Sequence, residues 1–133
     1  MKTQYTVALA VLAGVAVGGI AVQGLHAQAK PPVYVIGMID VSNDEGYAKE
    51  YAPKATEIVK AAGGRLIARG GAGGGVQVTT LEGEPYKGRV VVQQWDSIDK
   101  VKAWHGSTAY KENRKIGDKY AKFRFIVLEG VPQ

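Results

Sequence analysis

The 133-residue sequence contains no cysteine and only two histidines. Without cysteine there can be no disulfide framework, no thiolate metal site and no thioether-linked lipid anchor. One histidine, His26, sits in an apolar leader, so a single histidine, His105, remains for the rest of the chain. There is no H-x-x-x-H pair and no run of carboxylates at ligand spacing, so no metal site is expected. A G-x-S-x-G nucleophile elbow is also missing. Haem would have only His105 as an axial ligand, and no cofactor is expected. Charge of one sign is not concentrated either: basic residues outnumber acidic ones by 17 to 12, but they are spread among acidic neighbours, as in KAWHGSTAYKENRKIGDKYAKFR. Such a pattern lacks the basic, aromatic-laced face of a nucleic-acid reader, so no nucleic-acid partner is expected.

What is present begins with a leader. Lys2 gives a positive start, VALAVLAGVAVGGIAV (Val7 to Val22) is uncharged and apolar, and Ala27-Gln28-Ala29 forms an A-x-A cleavage site. Residues 1–29 therefore read as a signal peptide, leaving a domain of residues 30–133. The run is only slightly shorter than the roughly 18–20 residues that span a bilayer. Its glycine and alanine content and the cleavage motif favour removal over an uncleaved anchor. The product is expected to be exported, periplasmic or secreted, with no stable membrane anchor after cleavage. Loss of the leader takes away one basic residue and leaves a formal charge of +4. At 46% hydrophobic and 22% charged, the composition is that of an ordinary globular domain.

VYVIGMIDV (Val33 to Val41) is apolar at nearly every position and reads as a strand covered on both faces. Ser42 and Glu45 match a capping box, predicting a helix from about Asn43. Tyr47, Tyr51, Ala55, Ile58, Val59 and Ala62 form its apolar stripe, Pro53 should kink or divide it, and Gly63-Gly64 should end it. RLIARG (Arg65 to Gly70) and RVVVQQW (Arg89 to Trp95) read as strands. Asp96-Ser97 should cap a helix that turns Ile98, Val101 and Trp104 inward; after a break at His105-Gly106, Ser107 should recap a helix to about Lys119. FRFIVLEG (Phe123 to Gly130) closes as the last strand.

The resulting order β-α-β-β-α-β is the ferredoxin-like α+β arrangement, an antiparallel four-stranded sheet with two helical segments on one face. The first strand carries Val33, Val35 and Ile39 on one face and Tyr34, Ile36 and Met38 on the other, and the last strand Phe123, Phe125 and Val127 against Ile126 and Leu128, so whichever face the helices leave open is too apolar to stay in water. Pairing of two copies through that face as a dimeric α/β barrel is the expected solution.

The glycine run RGGAGGGVQVTTLEGE (Arg69 to Glu84) fails as a phosphate cradle. No frame fits G-x-G-x-x-G or G-x-x-x-x-G-K-[ST], and the run leads to a strand rather than to a helix N-terminus. It reads as a long connection with local strand character at Val76 to Leu81, a surface loop in preference to a mobile flap.

These segments together resemble the domain of unknown function 1330 family, within the dimeric α/β-barrel superfamily. The resemblance rests on YVIGMIDV, EGYAKEYAPKA, GGRLIARGG, LEGE, RVVVQQWDS, WHGSTAYKENR and FIVLEGV, and spans nearly all of residues 30–133. The GGAGGGVQVTT insertion and the leader depart from the shorter family pattern. The resemblance implies a ferredoxin-like dimer, supplies no reaction, and marks Arg69, Glu82, Ser107, Tyr110 and Arg114 as motif positions.

His105 is the one histidine left, the side-chain type suited to a catalytic general base; the alternative is a histidine at a helix break that caps backbone or faces solvent. Arg69, at a strand end, could grip an anionic group bidentately or pair with Glu82 or Asp40. Trp95, Glu82, Tyr47, Tyr110 and Arg114 complete the ligand-binding candidates, although tyrosines so placed are more often core residues. The expectation is a homodimer binding a small organic ligand between sheet and helices, near Arg69, Trp95 and His105. Its rivals are a cofactor-free monooxygenase-like or isomerase-like enzyme and a structural or stress-related dimer without ligand.

Overall fold

A computed structural model describes residues 30–133; the leader, and with it the signal-peptide reading, lies outside the described residues. β1 (Val33–Val41) is the centre of a sheet ordered β2-β3-β1-β4, with β2 (Arg65–Gly71), β3 (Arg89–Trp95) and β4 (Ala121–Glu129). All neighbours are antiparallel, in registers such as Ile36↔Val92 and Ile36↔Ile126. The strand order is that of the ferredoxin-like fold expected from the sequence.

The first helical segment is capped differently from the expectation. Asn43, not Ser42, is the N-cap: its Oδ1 accepts the Gly46 N–H at 2.9 Å. Ser42 Oγ instead donates to the Tyr120 carbonyl at 2.9 Å, tying the end of β1 to the turn before β4, and Glu45 pairs with Lys49 rather than reaching back. Asparagine caps as well as serine does, so one position of slippage costs the helix nothing. The division expected at Pro53 falls just ahead of it. α1 (Asp44–Gly46) runs into a π-helical turn (Tyr47–Tyr51) and then α2 (Ala52–Ala61), which holds Pro53 in its first turn. The proline has no N–H to give the helix, and the turn just ahead of it is where the ladder departs from the α pattern, the Ala52 N–H donating to the Tyr47 carbonyl.

α3 (Ile98–His105) and α4 (Thr108–Gly117) start as predicted. Ser97 Oγ accepts the Lys100 N–H and Ser107 Oγ the Tyr110 N–H, each at 3.2 Å. The helices cover one face of the sheet. Along β1 the alternation buries Val33, Val35 and Ile39 beneath them, while Tyr34, Ile36 and Met38 on the opposite face stay half-buried in the single chain. Gly37 belongs to the helix side because the Phe125 ring crosses it: a Cβ there would lie 2.6 Å from Phe125 Cε1 and from Val91 Cγ2.

The strand character expected at Val76–Leu81 is absent. This segment pairs with no strand; it curls back, with the Gly71 N–H donating to the Val76 carbonyl at 2.8 Å, and Leu81 is fully in solvent. A strand needs a neighbour for its hydrogen bonds, and glycines at positive φ (Gly71, Gly73 and Gly75) turn the chain away before one can form. On the helix-free face Ile67, Ile126 and Leu128 remain roughly half exposed. Both outer strands carry cations, Arg65 and Arg69 on β2 and Lys122 and Arg124 on β4. No helix among the described residues is long and apolar enough to cross a membrane.

Candidate functional site

The core under the helices is divided. One cluster gathers Val33, Val35, Val59, Trp95, Val101 and Trp104 with Tyr110; the other gathers Ile39, Tyr47, Tyr51 and Ala121. A cavity of about 380 Å³ is lined by members of both. That volume lies within the range of small-molecule sites. Its exposed lining residues, Ala48, Pro53, Arg69 and Gly73, lie along the π-helical turn, the start of α2, the end of β2 and the glycine run, and so mark its mouth.

The wall is aromatic. Tyr47 and Tyr51 stand one above the other on the π-helical turn with ring centres 5.2 Å apart, and Trp104 meets Tyr110 edge to face at 4.8 Å. Burial pushes the Tyr51 phenol far above its ordinary range, helped by the neighbouring Tyr47 and Tyr110. Burial also raises Tyr47, opposed by the nearby Arg89 guanidinium, which lies 4.5 Å over the ring. Both phenols therefore stay neutral at ordinary pH and act as hydrogen-bonding groups.

Arg89, Gln93 and Asn113 in the lining were not singled out as site residues from the sequence. Arg89, Val91, Gln93 and Trp95 alternate onto the helix side of β3, which puts Arg89 and Gln93 where apolar residues would be routine. Period-two reading of RVVVQQW would have exposed this: a buried polar residue is more informative than a buried valine. Gln93 Oε1 accepts the Trp95 indole N–H at 2.9 Å. Asn113, one turn beyond Tyr110 on α4, is buried and donates weakly through Nδ2 to the Tyr51 carbonyl at 3.4 Å. Its Oδ1, and the indole Nε1 of Trp104, are buried with no hydrogen-bond partner among the described residues.

Of the sequence candidates, Arg69, Tyr47 and Tyr110 line the cavity. Trp95 lies a layer behind the wall, its ring 5.3 Å from that of Trp104. Arg114 supports Tyr110 from outside: its Nη1 donates to the tyrosine hydroxyl at 3.0 Å, its Nε bonds Asp118 at 3.0 Å, and its guanidinium covers Phe123 at 4.0 Å. His105 is exposed at the end of α3, packed against the Tyr110 ring at 4.8 Å, and does not line the cavity. Glu82 lies on the exposed loop, also off the lining, and neither it nor Asp40 pairs with Arg69. Among the described residues no group of three or more His, Asp or Glu side chains could hold a metal ion.

A four-stranded antiparallel sheet roofed on one face by helices, with a ligand-sized cavity between the layers, defines a ferredoxin-like α+β protein. The chain belongs to the family described as Domain of unknown function (DUF1330), which it matches over residues 32–131. Among solved structures it resembles a protein of unknown function from Rhodopseudomonas palustris, at 16% identity and a TM-score of 0.59, over 85% of this chain and 92% of that one. It also resembles SnoaB, a cofactor-independent oxygenase from Streptomyces nogalater, at 9% identity and a TM-score of 0.54, over 77% of this chain and 96% of that one. At these identities the likeness is one of fold. No curated protein matches the sequence.

Proposed function

We propose that this is an exported, homodimeric small-molecule-binding protein, whose cavity between sheet and helices takes a small, largely apolar organic ligand. The observation that carries the reading is the pair of unpartnered buried atoms, Trp104 Nε1 and Asn113 Oδ1, on residues that line the cavity. An unsatisfied buried polar group costs about 1–3 kcal/mol. A ligand offering one acceptor and one donor would offset that cost. Export is supported by the leader pattern, and the homodimer by the half-exposed apolar face of the sheet. The same polar atoms count against a purely structural dimer.

Thermal unfolding in the presence of a panel of small aromatic compounds tests the reading. Ala55 lies half-buried in the lining, so Ala55→Trp should fill the cavity with apolar volume. A compound that raises Tm in the wild type and not in A55W supports the proposal. An absence of any such compound, or one that stabilises both proteins equally, overturns it.

A second reading, a cofactor-free monooxygenase or isomerase, is favoured by one observation: two buried neutral phenols in the cavity wall. The fold shared with SnoaB is compatible with it. With His105 outside the lining, proton transfer there would fall to Tyr47 or Tyr51. Turnover of a bound compound that survives in Y51F and Y47F would remove that role.

A further inference from the structure

We propose that the ligand is an anion, an aromatic carboxylate whose ring enters the cavity and whose charge is held between Arg69 and Arg89 at the mouth. This rests on reading the cavity as a ligand site and adds its chemical class.

Arg69 faces Val91 across the β2–β3 ladder, and Arg89 lies two residues from Val91 on the same strand face. The two arginines are therefore diagonal neighbours on the helix side of the sheet, a relation that separates backbones by about 7–8 Å. Both line the cavity. A carboxylate fits between two guanidinium forks at that spacing. Like charges side by side in a sheet weaken it unless something of opposite sign lies between them. Neither arginine forms an ion pair among the described residues.

The other contacts of Arg89 leave its charge available. Its Nε donates to the Ala72 carbonyl at 3.2 Å and its guanidinium lies over the Tyr47 ring, which fix its direction without neutralising it. Asp44 is the nearby acid. Its Oδ1 and Arg89 Nη2 approach the same point beside Gly73, 2.8 and 2.7 Å from where a Cβ would stand, yet they do not pair. Gly73 has no side chain to block that point, so the approach to Arg89 is open. Behind the arginines the lining turns aromatic, with Tyr47, Tyr51, Phe125 and Trp104 supplying faces and edges for a flat ring. A charged head at the mouth and a planar body inside match this division.

Isothermal titration of the purified protein with 6-hydroxy-2-naphthoate and with the neutral 6-hydroxy-2-naphthamide separates the charge from the ring, the hydroxyl supplying a donor and an acceptor for Asn113 Oδ1 and Trp104 Nε1. Two charge-assisted contacts predict that the acid binds about tenfold or more tighter than the amide, with the difference shrinking as salt rises. Arg69 is exposed, so Arg69→Gln should leave the fold intact, as thermal unfolding verifies. R69Q should weaken the acid about three- to tenfold and leave the amide unchanged. Equal binding of acid and amide to the wild type would overturn the anion assignment while the cavity reading stood. Equal weakening of both by R69Q would overturn the role of the arginine pair. No binding of either up to millimolar concentration would overturn both readings.

Discussion

Gly37 is a point of close contact between the central strand and the Phe125 ring, and replacing it with alanine gives a quantitative test of the packing. The new Cβ would lie 2.6 Å from Phe125 Cε1 and from Val91 Cγ2, and 3.0 Å from Phe125 Cδ1. Carbon atoms prefer about 3.5–4.0 Å, so two side chains must each retreat by about 1 Å. Both side chains border the cavity, but Val91 is short and β-branched on the central β3, whereas the longer Phe125 ring can swing into the space. Overpacking of this kind costs about 1–3 kcal/mol. Alanine recovers about 0.5–1 kcal/mol because a strand glycine loses more entropy on folding. At the middle of both ranges the clash wins by about 1 kcal/mol, and each kcal/mol lowers the midpoint of a domain near 100 residues by about 4–8 °C. Guanidinium unfolding of G37A should show this loss, and Phe125→Leu in the same background should return part of it. The displaced ring also narrows the cavity, so a cavity ligand should bind G37A more weakly. A G37A protein as stable as the wild type, or one not helped by F125L, would refute the reasoning.

Arg114→Leu removes the donor to Tyr110 and the cation over Phe123 and should cost about 1–2 kcal/mol by chemical denaturation, while Asp118→Asn, at an exposed carboxylate, should cost under about 0.5 kcal/mol. Ser107→Ala deletes the cap of α4 and the bond to the Trp104 carbonyl; a loss of about 1 kcal/mol is expected, and Ser107→Asp should recover the cap. Tyr47 and Tyr51 are raised in the folded state, so their unfolded phenols ionise first. Stability should hold below the ordinary tyrosine range near pH 10 and fall above it, by up to about 1.4 kcal/mol per pH unit for each. Absorbance of phenolate during alkaline titration should accordingly rise for these two only with unfolding. Ile126→Glu places a charge on the helix-free face and should convert a dimer to a monomer in light scattering; an unchanged mass would remove that face as the contact.

The strands and the later helix starts were legible because each rests on local chemistry: β-branched runs for β1 and β3, Ser97 and Ser107 at the caps, and Gly63, at φ 99°, closing α2. What failed was competition between equally good neighbours. Ser42 and Asn43 can both cap, and the choice was made by Tyr120, 78 residues beyond Ser42, whose carbonyl takes the serine hydroxyl. The π-helical turn likewise has no sequence mark beyond the proline that follows it. Residue type and position point to Arg69, Tyr47 and Tyr110, which line the cavity, while Arg89 and Asn113 line it too and are marked in the sequence only by the strand and helix periodicity that places both on inward faces. Histidine is a general-base type wherever it stands in a sequence, but α3 ends at His105 and turns it to solvent.

The cations on the two outer strands limit how this molecule can associate. If two copies approached edge to edge, β2 would bring Arg65 and Arg69 toward like charges on the other copy, and β4 would do the same with Lys122 and Arg124. Extension of the sheet into a continuous ribbon is thereby opposed by repulsion, as it is on other charged edges. That protection is electrostatic and so has a range set by the solvent. It is strong in dilute buffer and fades as added salt shortens the Debye length to a few ångströms. Ribbon-like aggregation of this domain, where it occurs, belongs to concentrated salt.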